Sequence, residues 1–191
     1  MNNDIDLMLR FQKGDDSCFE QLVERHKQRV FNIAYRYMGN THDAEDAAQQ
    51  VFMNIYRARN SYKPLSQFTT WLYTVCKNTC LKSFRKKRLK TVPLETEPET
   101  NPDAAPAQWA DPKALTPREH ALSREQESAI REAIESLPGN QKILLLFYKY
   151  EHLSYEDIGK ITGLSVQAVK SSLHRARLTL KEKLSKYFRN F

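Results

Sequence analysis

The chain has 191 residues, with 30 lysines and arginines against 23 aspartates and glutamates, for a formal net charge of +7. This length suits one ordinary domain or two small ones. The longest apolar run, Ile143 to Tyr148, has six residues, whereas a membrane span needs about 18. The N-terminus lacks a secretory-signal pattern, and three cysteines are too few for a disulfide scaffold. We therefore expect a cytoplasmic protein without membrane insertion.

The positive charge lies at the two ends of the chain. Residues 1–90 carry a net charge of +7 and residues 126–191 carry +4, whereas residues 91–125 carry −4. Residues 91–112 hold five prolines and five acids but no lysine or arginine. Such a composition is typical of an extended linker, because it buries too little apolar surface to offset the entropy of ordering. A long loop within a single domain is the alternative, although such loops are uncommon in compact domains.

Apolar residues before the linker recur at helical spacing. A short helix is expected over residues 5–11. A second helix is expected to be capped by Asp16-Ser17 and to stop at Gly39. Thr41 is placed to cap a third helix with a buried stripe of alanines. A fourth helix begins at Phe68 and carries most of its large apolar residues on one face. These patterns predict a small helical bundle.

Two surfaces of this bundle are unusual. The third helix groups acids and glutamines within two turns: Asp43, Glu45, Asp46, Gln49 and Gln50. Acids near a helix N-terminus favour the helix dipole, so capping is the simpler explanation for this surface alone.

The fourth helix carries seven positive charges in fourteen residues, with no acid among them: Lys77, Lys82, Arg85, Lys86, Lys87, Arg88 and Lys90. Mutual repulsion in such a patch is relieved by a polyanion, for which a phosphate backbone is the obvious candidate. Aromatic residues that could stack on unpaired bases lie close by, although their spacing also fits a core position: Tyr62, Phe68, Trp71 and Tyr73.

The C-terminal part contains a helix-turn-helix pattern. Ser154 followed by Asp157 resembles a capping box, Gly163 provides a tight turn, and Ser165 is placed to cap the following helix. In a helix-turn-helix unit the second helix enters the major groove. Its expected exposed residues are all hydrogen-bonding types: Gln167, Lys170, Ser171, His174, Arg175 and Arg177. An ordinary helical hairpin with a solvated basic face is the alternative.

Together these patterns predict an all-α protein in which two small helical domains are joined by a flexible linker. The C-terminal domain is the helix-turn-helix. The predicted boundaries are residues 1–90 for the first domain, 91–120 for the acidic, proline-rich linker and 121–191 for the second domain.

Two motif sets in this order resemble the extracytoplasmic-function (ECF) sigma factors. The first domain contains Asp43-Ala44-Glu45-Asp46 and, further on, Phe68-Thr69-Thr70-Trp71-Leu72. The second contains Leu153-Ser154-Tyr155-Glu156-Asp157-Ile158-Gly159 and, further on, Arg175-Ala176-Arg177. The resemblance covers nearly everything except the linker.

The resemblance implies a role for each surface. It implies binding to core RNA polymerase (the β′ clamp) through Asp43, Glu45, Asp46, Gln49, Gln50 and Phe52, with the second domain contacting the β flap. It implies binding to the −10 promoter element through Asn60, Tyr62, Phe68, Thr70, Trp71, Lys77, Asn78, Lys82, Arg85, Lys86 and Arg88. It implies reading of the −35 element by Ser165, Gln167, Ala168, Lys170, Ser171, His174, Arg175 and Arg177. Factors of this family are usually held inactive by an anti-sigma protein, often one bound to the membrane.

An enzyme is not expected, because no catalytic arrangement is recognisable in the sequence. Cys76 and Cys80 lie one helical turn apart but lack the further ligands of a zinc site, so we expect neither metal nor cofactor. The main alternative is a helix-turn-helix transcriptional regulator whose N-terminal bundle senses a ligand or dimerises. That alternative leaves the patch from Lys77 to Lys90 and the acidic surface of the third helix unexplained.

Overall fold

The computed structural model describes residues 3–90, 117–185 and 187. Every regular element in these ranges is helical, which confirms the predicted fold class. The helices are α1 (Asn3–Gln12), α2 (Asp16–Met38), α3 (Thr41–Arg57), a 3₁₀ turn (Arg59–Ser61), α4 (Phe68–Lys90), α5 (Pro117–Glu135), α6 (Gly139–Tyr150), α7 (Tyr155–Thr162) and α8 (Val166–Leu184). The part of the predicted linker from 91 to 116 lies outside the described residues. Helix α5 already begins at Pro117, within the range predicted as linker.

The ends of the helices in the first bundle follow local chemistry. Helix α2 ends at Gly39, whose φ of 84° is the left-handed conformation that glycine adopts without strain. The prediction that Asp16-Ser17 caps α2 is wrong, because Asp15 occupies the cap position and the helix already begins at Asp16. The prediction that Thr41 caps α3 is wrong by one residue. Asn40 is the cap, since its side-chain oxygen accepts a hydrogen bond from the backbone N–H of Asp43 at 2.9 Å.

The helix-turn-helix has the capping chemistry that its sequence predicts. The hydroxyl of Ser154 accepts from the backbone N–H of Asp157 at 3.0 Å and donates to the carboxylate of Asp157 at 2.7 Å. Gly163 makes the turn with a φ of 73°. Ser165 then caps α8 by accepting from the backbone N–H of Ala168 at 3.2 Å. These caps satisfy backbone donors that the helix itself leaves free.

The two domains pack directly against each other. Helix α4 contacts α7 and α6, and α2 also contacts α6. Buried apolar side chains of both domains therefore form one continuous cluster. Tyr73 of α4 and Phe147 of α6 meet across this boundary with ring centroids 5.5 Å apart, and both are almost fully buried. We call this boundary the domain seam.

Polar contacts reinforce the seam. The hydroxyl of Tyr73 donates to the carboxylate of Glu151, just after α6, at 2.6 Å. Arg29 of α2 lies 3.5 Å from the same carboxylate. The guanidinium of Arg36 lies 4.4 Å from the ring centroid of Tyr150. The seam therefore joins helices of both domains through apolar packing, one shared carboxylate and a cation–π contact.

The close packing of the turn in the helix-turn-helix can be tested by a substitution at Gly159. A Cβ at this position would lie 2.9 Å from the backbone oxygen of Leu164, so that the turn would have to shift. We expect Gly159→Ala to lower the free energy of unfolding by about 1–3 kcal/mol, measured by urea denaturation. The exposed neighbour is the control: Lys160→Ala should change stability by less than about 0.5 kcal/mol. Equal stabilities of the two variants would contradict the packing described here.

Candidate functional site

The acidic surface of α3 contains residues with different structural roles. The side chain of Asn40 donates to the carboxylate of Asp43 at 2.7 Å, so Asp43 takes part in the helix cap. Gln50 is half-buried and donates to Asn54 at 3.0 Å. The remaining polar members of the surface, Glu45, Asp46 and Gln49, are exposed. The simpler capping explanation therefore accounts for Asp43 but not for the exposed residues.

An apolar groove lies beside these exposed residues. It has a volume of about 460 Å³ and lies between α2 and α3. Its lining includes Phe52, which is half-buried, and Met53, which is 42% exposed. Gln49 lies at the groove, so the acidic surface and the groove are continuous. The sequence indicated the polar residues and Phe52 but not this groove, because Phe19 and Val23 reach it from another helix.

The basic residues of α4 divide into two groups. Lys82, Arg85 and Lys86 are exposed, as is Asn78. Lys77 instead is half-buried, and its ammonium group donates to the carbonyl oxygen of Ile161 in α7 at 3.1 Å. This burial lowers the pKa of Lys77. Arg88 lies on the last part of α4, where side chains are outside the described residues.

The aromatic residues near the start of α4 pack on one another. Tyr62 and Phe68 are 4% and 1% exposed, whereas Trp71 is half-buried. The Trp71 ring lies 4.8 Å from that of Tyr62 and 5.8 Å from that of Phe68, between centroids. His26 extends the cluster, 5.4 Å from Phe68. Of the four aromatics predicted as possible base-stacking residues, only Trp71 reaches the surface. Tyr62 and Phe68 support it from beneath, and Tyr73 is buried against Phe147.

The loop before α4 is anchored by a residue that sequence reasoning missed. The side-chain amide of Gln12 donates to the backbone oxygens of Arg59 at 2.8 Å and Tyr62 at 3.0 Å. These bonds hold the 3₁₀ turn that presents the exposed side chain of Asn60. No local pattern pointed to Gln12, since its partners lie about fifty positions further along the chain. At the start of α4, Thr70 is half-buried and its carbonyl accepts from the hydroxyl of Thr74.

Helix α8 presents a polar face on the side opposite its packing residues. Val169, Leu173 and Ala176 are buried against the rest of the domain. The opposite side carries Gln167, Ser171, His174 and Arg175 at helical spacing, and all except the half-buried Ser171 are exposed. Ser165 and the half-buried Ala168 lie at its N-terminus, where they form the cap. This face can present hydrogen-bonding side chains to the edges of base pairs.

Arg177 lies on the flank of that face and contacts aromatic residues. Its guanidinium lies 5.1 Å from the ring centroid of Tyr148, which stacks on Tyr155 at 5.3 Å. Lys170 lies over the other tyrosine, with its ammonium group 5.8 Å from the Tyr155 ring centroid. A hydrogen bond from Arg177, together with one from Tyr148, lowers the pKa of Tyr155. Both cations therefore brace α8 against α7 and α6 and remain partly available to an anion.

Other candidate chemistry is limited in this structure. Cys18, Cys76 and Cys80 are buried free thiols, and burial raises the pKa of Cys80 to about 12. Among the described residues, no group of three or more histidine, cysteine or acidic side chains is arranged to hold a metal ion. In the same ranges, no helix is long and apolar enough to cross a membrane.

Comparisons with known proteins match both domains. Residues 22–90 match the family model of sigma-70 region 2, and residues 127–180 match that of sigma-70 region 4. The chain is 31% identical over 188 residues to the ECF RNA polymerase sigma-E factor of Escherichia coli K12, covering 96% of this chain and 95% of that protein. The chain belongs to the ECF sigma factors. It is therefore a transcription initiation factor, as the two motif sets implied.

Further relatives match most of the length of this ECF sigma factor. It is 33% identical over 181 residues to the sigma-E factor of Haemophilus influenzae, covering 93% of each chain. It is 29% identical over 173 residues to SigW of Bacillus subtilis, covering 91% of this chain and 92% of that protein.

Solved structures share the fold of this sigma factor. CnrH, solved in complex with the cytosolic domain of CnrY, matches 97% of this chain and 99% of its own, with a TM-score of 0.68 and 19% identity. RpoE of Bartonella quintana, solved with the anti-sigma factor NepR, matches 87% and 96%, with a TM-score of 0.63 and 22% identity. At these identities the likeness concerns the fold alone.

The contact between Arg177 and Tyr155 can be tested in solution. A hydrogen bond from a nearby cation favours the ionised phenolate, so the pKa of Tyr155 should lie below the ordinary value of a tyrosine. We expect Arg177→Ala to remove this early step from a spectrophotometric titration of tyrosinate, as Tyr155→Phe should do. Arg175→Ala removes an equal charge from the outer face and should leave the step in place. Loss of the step in Arg175→Ala would contradict the assignment.

Proposed function

We propose that this ECF sigma factor binds core RNA polymerase, recognises the −35 and −10 promoter elements and helps to open the DNA at −10. The observation that carries the proposal is the pairing of sigma regions 2 and 4 with exposed polar faces on α3, α4 and α8. The acidic face of α3 suits a contact with a protein, whereas the basic faces of α4 and α8 suit contacts with DNA. The protein supplies binding surfaces rather than catalytic groups, so we infer that it is not an enzyme.

Helix α3 is proposed to dock on the β′ clamp of the polymerase. Asp46 and Gln49 are exposed on the same side, and the adjacent groove offers the apolar surface of Phe52 and Met53. Interfaces of this kind combine a polar rim with an apolar centre, which suits a stable protein contact. Asp43 and Gln50 contribute by shaping the helix, through the contacts to Asn40 and Asn54.

Helix α4 and the loop before it are proposed to bind the −10 element as a separated strand. Exposed Lys82, Arg85 and Lys86 attract the phosphates. Trp71 offers a partly exposed ring about two helical turns before the exposed Asn78. Opening a duplex costs a few kcal/mol for each unstacked base, which pocket contacts and charge attraction offset. Asn60 lies on the loop held by Gln12 and completes this surface.

Helix α8 is proposed to read the −35 element in the major groove. Gln167 suits adenine, and Arg175 suits guanine, because each can make two hydrogen bonds to one base edge. Lys170 and Arg177 on the flank of the helix are placed for phosphates, which position a protein without reading sequence. The contacts of Arg177 with Tyr148 and Tyr155 support this positioning role.

An anti-sigma factor is the proposed regulator, and the bacterial cytoplasm is the proposed location. Two proteins of this fold were solved with protein partners: the sigma factor RpoE with the anti-sigma factor NepR, and CnrH with the cytosolic domain of CnrY. The C-terminal domain offers a groove of about 680 Å³ between α5, α6 and α8, with an apolar floor and a rim that includes Lys149 and Lys181. An amphipathic helix with acidic flanks fits both features. The β flap of the polymerase is a further proposed contact of this domain.

The regulator alternative is not favoured. A regulator with a sensing or dimerising bundle would need no sigma region 2, yet residues 22–90 match that region. The discriminating assay is transcription: the free protein should bind duplex promoter DNA weakly, and adding it to core polymerase should produce promoter-specific transcripts. Tight operator binding without polymerase would favour the regulator.

Docking through α3 can be tested by reversing its charge. We expect Asp46→Arg with Gln49→Ala to abolish co-purification with core polymerase and leave the circular dichroism spectrum unchanged. A matched control lies on α2, on the side opposite its buried residues, where Glu24 and Gln28 are exposed. Glu24→Arg with Gln28→Ala should still co-purify. Retention of core by the α3 variant would refute the assignment.

The two DNA-binding helices should respond differently to single substitutions. Arg175→Ala should weaken binding of the holoenzyme to its preferred −35 sequence by about 1–3 kcal/mol and have little effect on altered sequences. Lys86→Ala should weaken binding to all sequences alike and reduce the salt dependence by about one charge. The measurement is promoter affinity against salt concentration. Equal losses on every sequence for both variants would contradict the division of roles.

A further inference from the structure

A cavity of about 300 Å³ lies between α2 of the first domain and helices α5 and α6 of the second. Three basic side chains line it: Arg36 of α2, Arg131 of α5 and Lys142 of α6. Two acids, Glu127 and Glu135, line it as well, so three positive and two negative charges leave a net charge of +1. The surfaces proposed for polymerase and DNA contain none of these five residues. The function proposed above therefore leaves this cavity unused.

Lys142 is the most deeply buried of the three cations. It is 3% exposed, whereas Arg36 and Arg131 are exposed. Among the described residues, its ammonium group has neither a hydrogen bond nor a salt bridge, and its nearest recorded contact is the Tyr37 ring centroid at 5.4 Å. Burial lowers the pKa of Lys142 although the Glu135 carboxylate acts in the opposite direction. A buried ammonium group compensated so weakly is unfavourable and would be stabilised by an anion.

The two guanidinium groups lie at the exposed rim of the cavity. Arg36 is held by the ring of Tyr150, with 4.4 Å from its guanidinium carbon to the ring centroid. A guanidinium group can donate two parallel hydrogen bonds to one carboxylate or phosphate group. The cavity therefore offers donors to an anion both from its buried floor and from its rim.

The rest of the lining is largely apolar. Ile130 and Ile134 of α5 and Leu146 of α6 contribute to it, together with two tyrosine rings. Apolar walls with a few polar groups are typical of small-molecule sites, and the volume of this cavity is at the lower end of their range. The isoleucines also line the groove between α5, α6 and α8, but the three cations do not. The cations therefore distinguish this cavity from that groove.

The net charge of the lining selects between two classes of anion. A monocarboxylate carries one negative charge and neutralises the lining. A phosphate monoester carries a charge of about −1.5 to −2 at neutral pH, and the excess would be repelled by Glu127 and Glu135. Such repulsion is strong where water is partly excluded.

We propose that this cavity binds a small monocarboxylate with an apolar body. Its carboxylate pairs with the ammonium group of Lys142, the guanidinium groups of Arg36 and Arg131 attract it from the rim, and its body packs on the apolar wall. Such a ligand contacts both domains and stabilises their packing by its binding free energy. This inference does not depend on the proposed roles of α3, α4 and α8, so either can fail without the other.

The experiment titrates the full chain at pH 8 with benzoate by isothermal titration calorimetry. Two probes of similar shape separate the contributions, because benzyl alcohol lacks the charge and phenyl phosphate carries a second one. Lys142→Met removes the buried ammonium group and keeps the length of the side chain. Arg131→Gln tests the rim at an exposed position, and Lys160→Met, exposed on α7, is the matched control. Circular dichroism melting reports the stability of each variant.

The expected dissociation constant for benzoate is about 1 mM or below. Benzyl alcohol and phenyl phosphate should each bind about ten-fold more weakly. Lys142→Met should weaken benzoate binding by about ten-fold or more, and Arg131→Gln by several-fold, whereas Lys160→Met should bind as the parent does. Without ligand, Lys142→Met should melt no lower than the parent, because it removes a buried charge that lacks a close partner.

Several outcomes would overturn the proposal. If the parent chain does not bind benzoate, or binds benzyl alcohol equally well, the cavity is not an anion site. Unchanged affinity in both Lys142→Met and Arg131→Gln would place the bound benzoate elsewhere. Tighter binding of phenyl phosphate than of benzoate would refute the selection of a monoanion. A melting temperature of Lys142→Met well below that of the parent would show that Lys142 is a structural partner of Glu135 rather than a cation available to a ligand.

Discussion

The structure depends on the burial of two sides of helix α4. One side, with Phe68 and Leu72, completes the core of the N-terminal bundle. A second side, with Tyr73, is also largely apolar and cannot be left in water without cost, because burying a large aromatic side chain is worth about 1.5–3 kcal/mol. Helices α6 and α7 provide that cover. The position of the C-terminal domain follows from this requirement.

The seam combines favourable and unfavourable contacts, which distinguishes it from an ordinary core. Glu151 joins Tyr73 and Arg29, yet the Tyr37 hydroxyl is buried without a partner and Lys142 is buried beside it. Contacts between domains of one chain commonly have such a mixed character and permit relative motion.

Local features of the fold were predictable because they depend on neighbouring residues. The capping box of Ser154 and Asp157, the turn at Gly163 and the cap at Ser165 were all confirmed. The cap of α3 was missed by one position, since Asn40 and Thr41 are both common caps and only the backbone geometry selects between them.

The candidate site was predictable in part. The charged faces of α3, α4 and α8 follow from helical periodicity and from runs of charge, so the exposure of Asp46, Lys86 and Arg175 was predictable. Their expected roles came from the resemblance to ECF sigma factors. Burial of Tyr62 and Phe68 beneath Trp71 was not decided by spacing, because core and surface aromatics share it. Gln12 was missed altogether, since its contacts bridge distant parts of the chain.

By itself, the sequence determined that this protein consists of helices in two basic parts, with a helix-turn-helix in the second and two motif sets of the ECF sigma factors. Those properties depend on composition, periodicity and short-range capping. Only the tertiary structure decided that Lys77 contacts Ile161 rather than solvent, that Arg177 braces Tyr155, and that Glu151 joins the two domains. These are contacts between residues far apart in the chain, and their energies depend on burial, which no local pattern specifies.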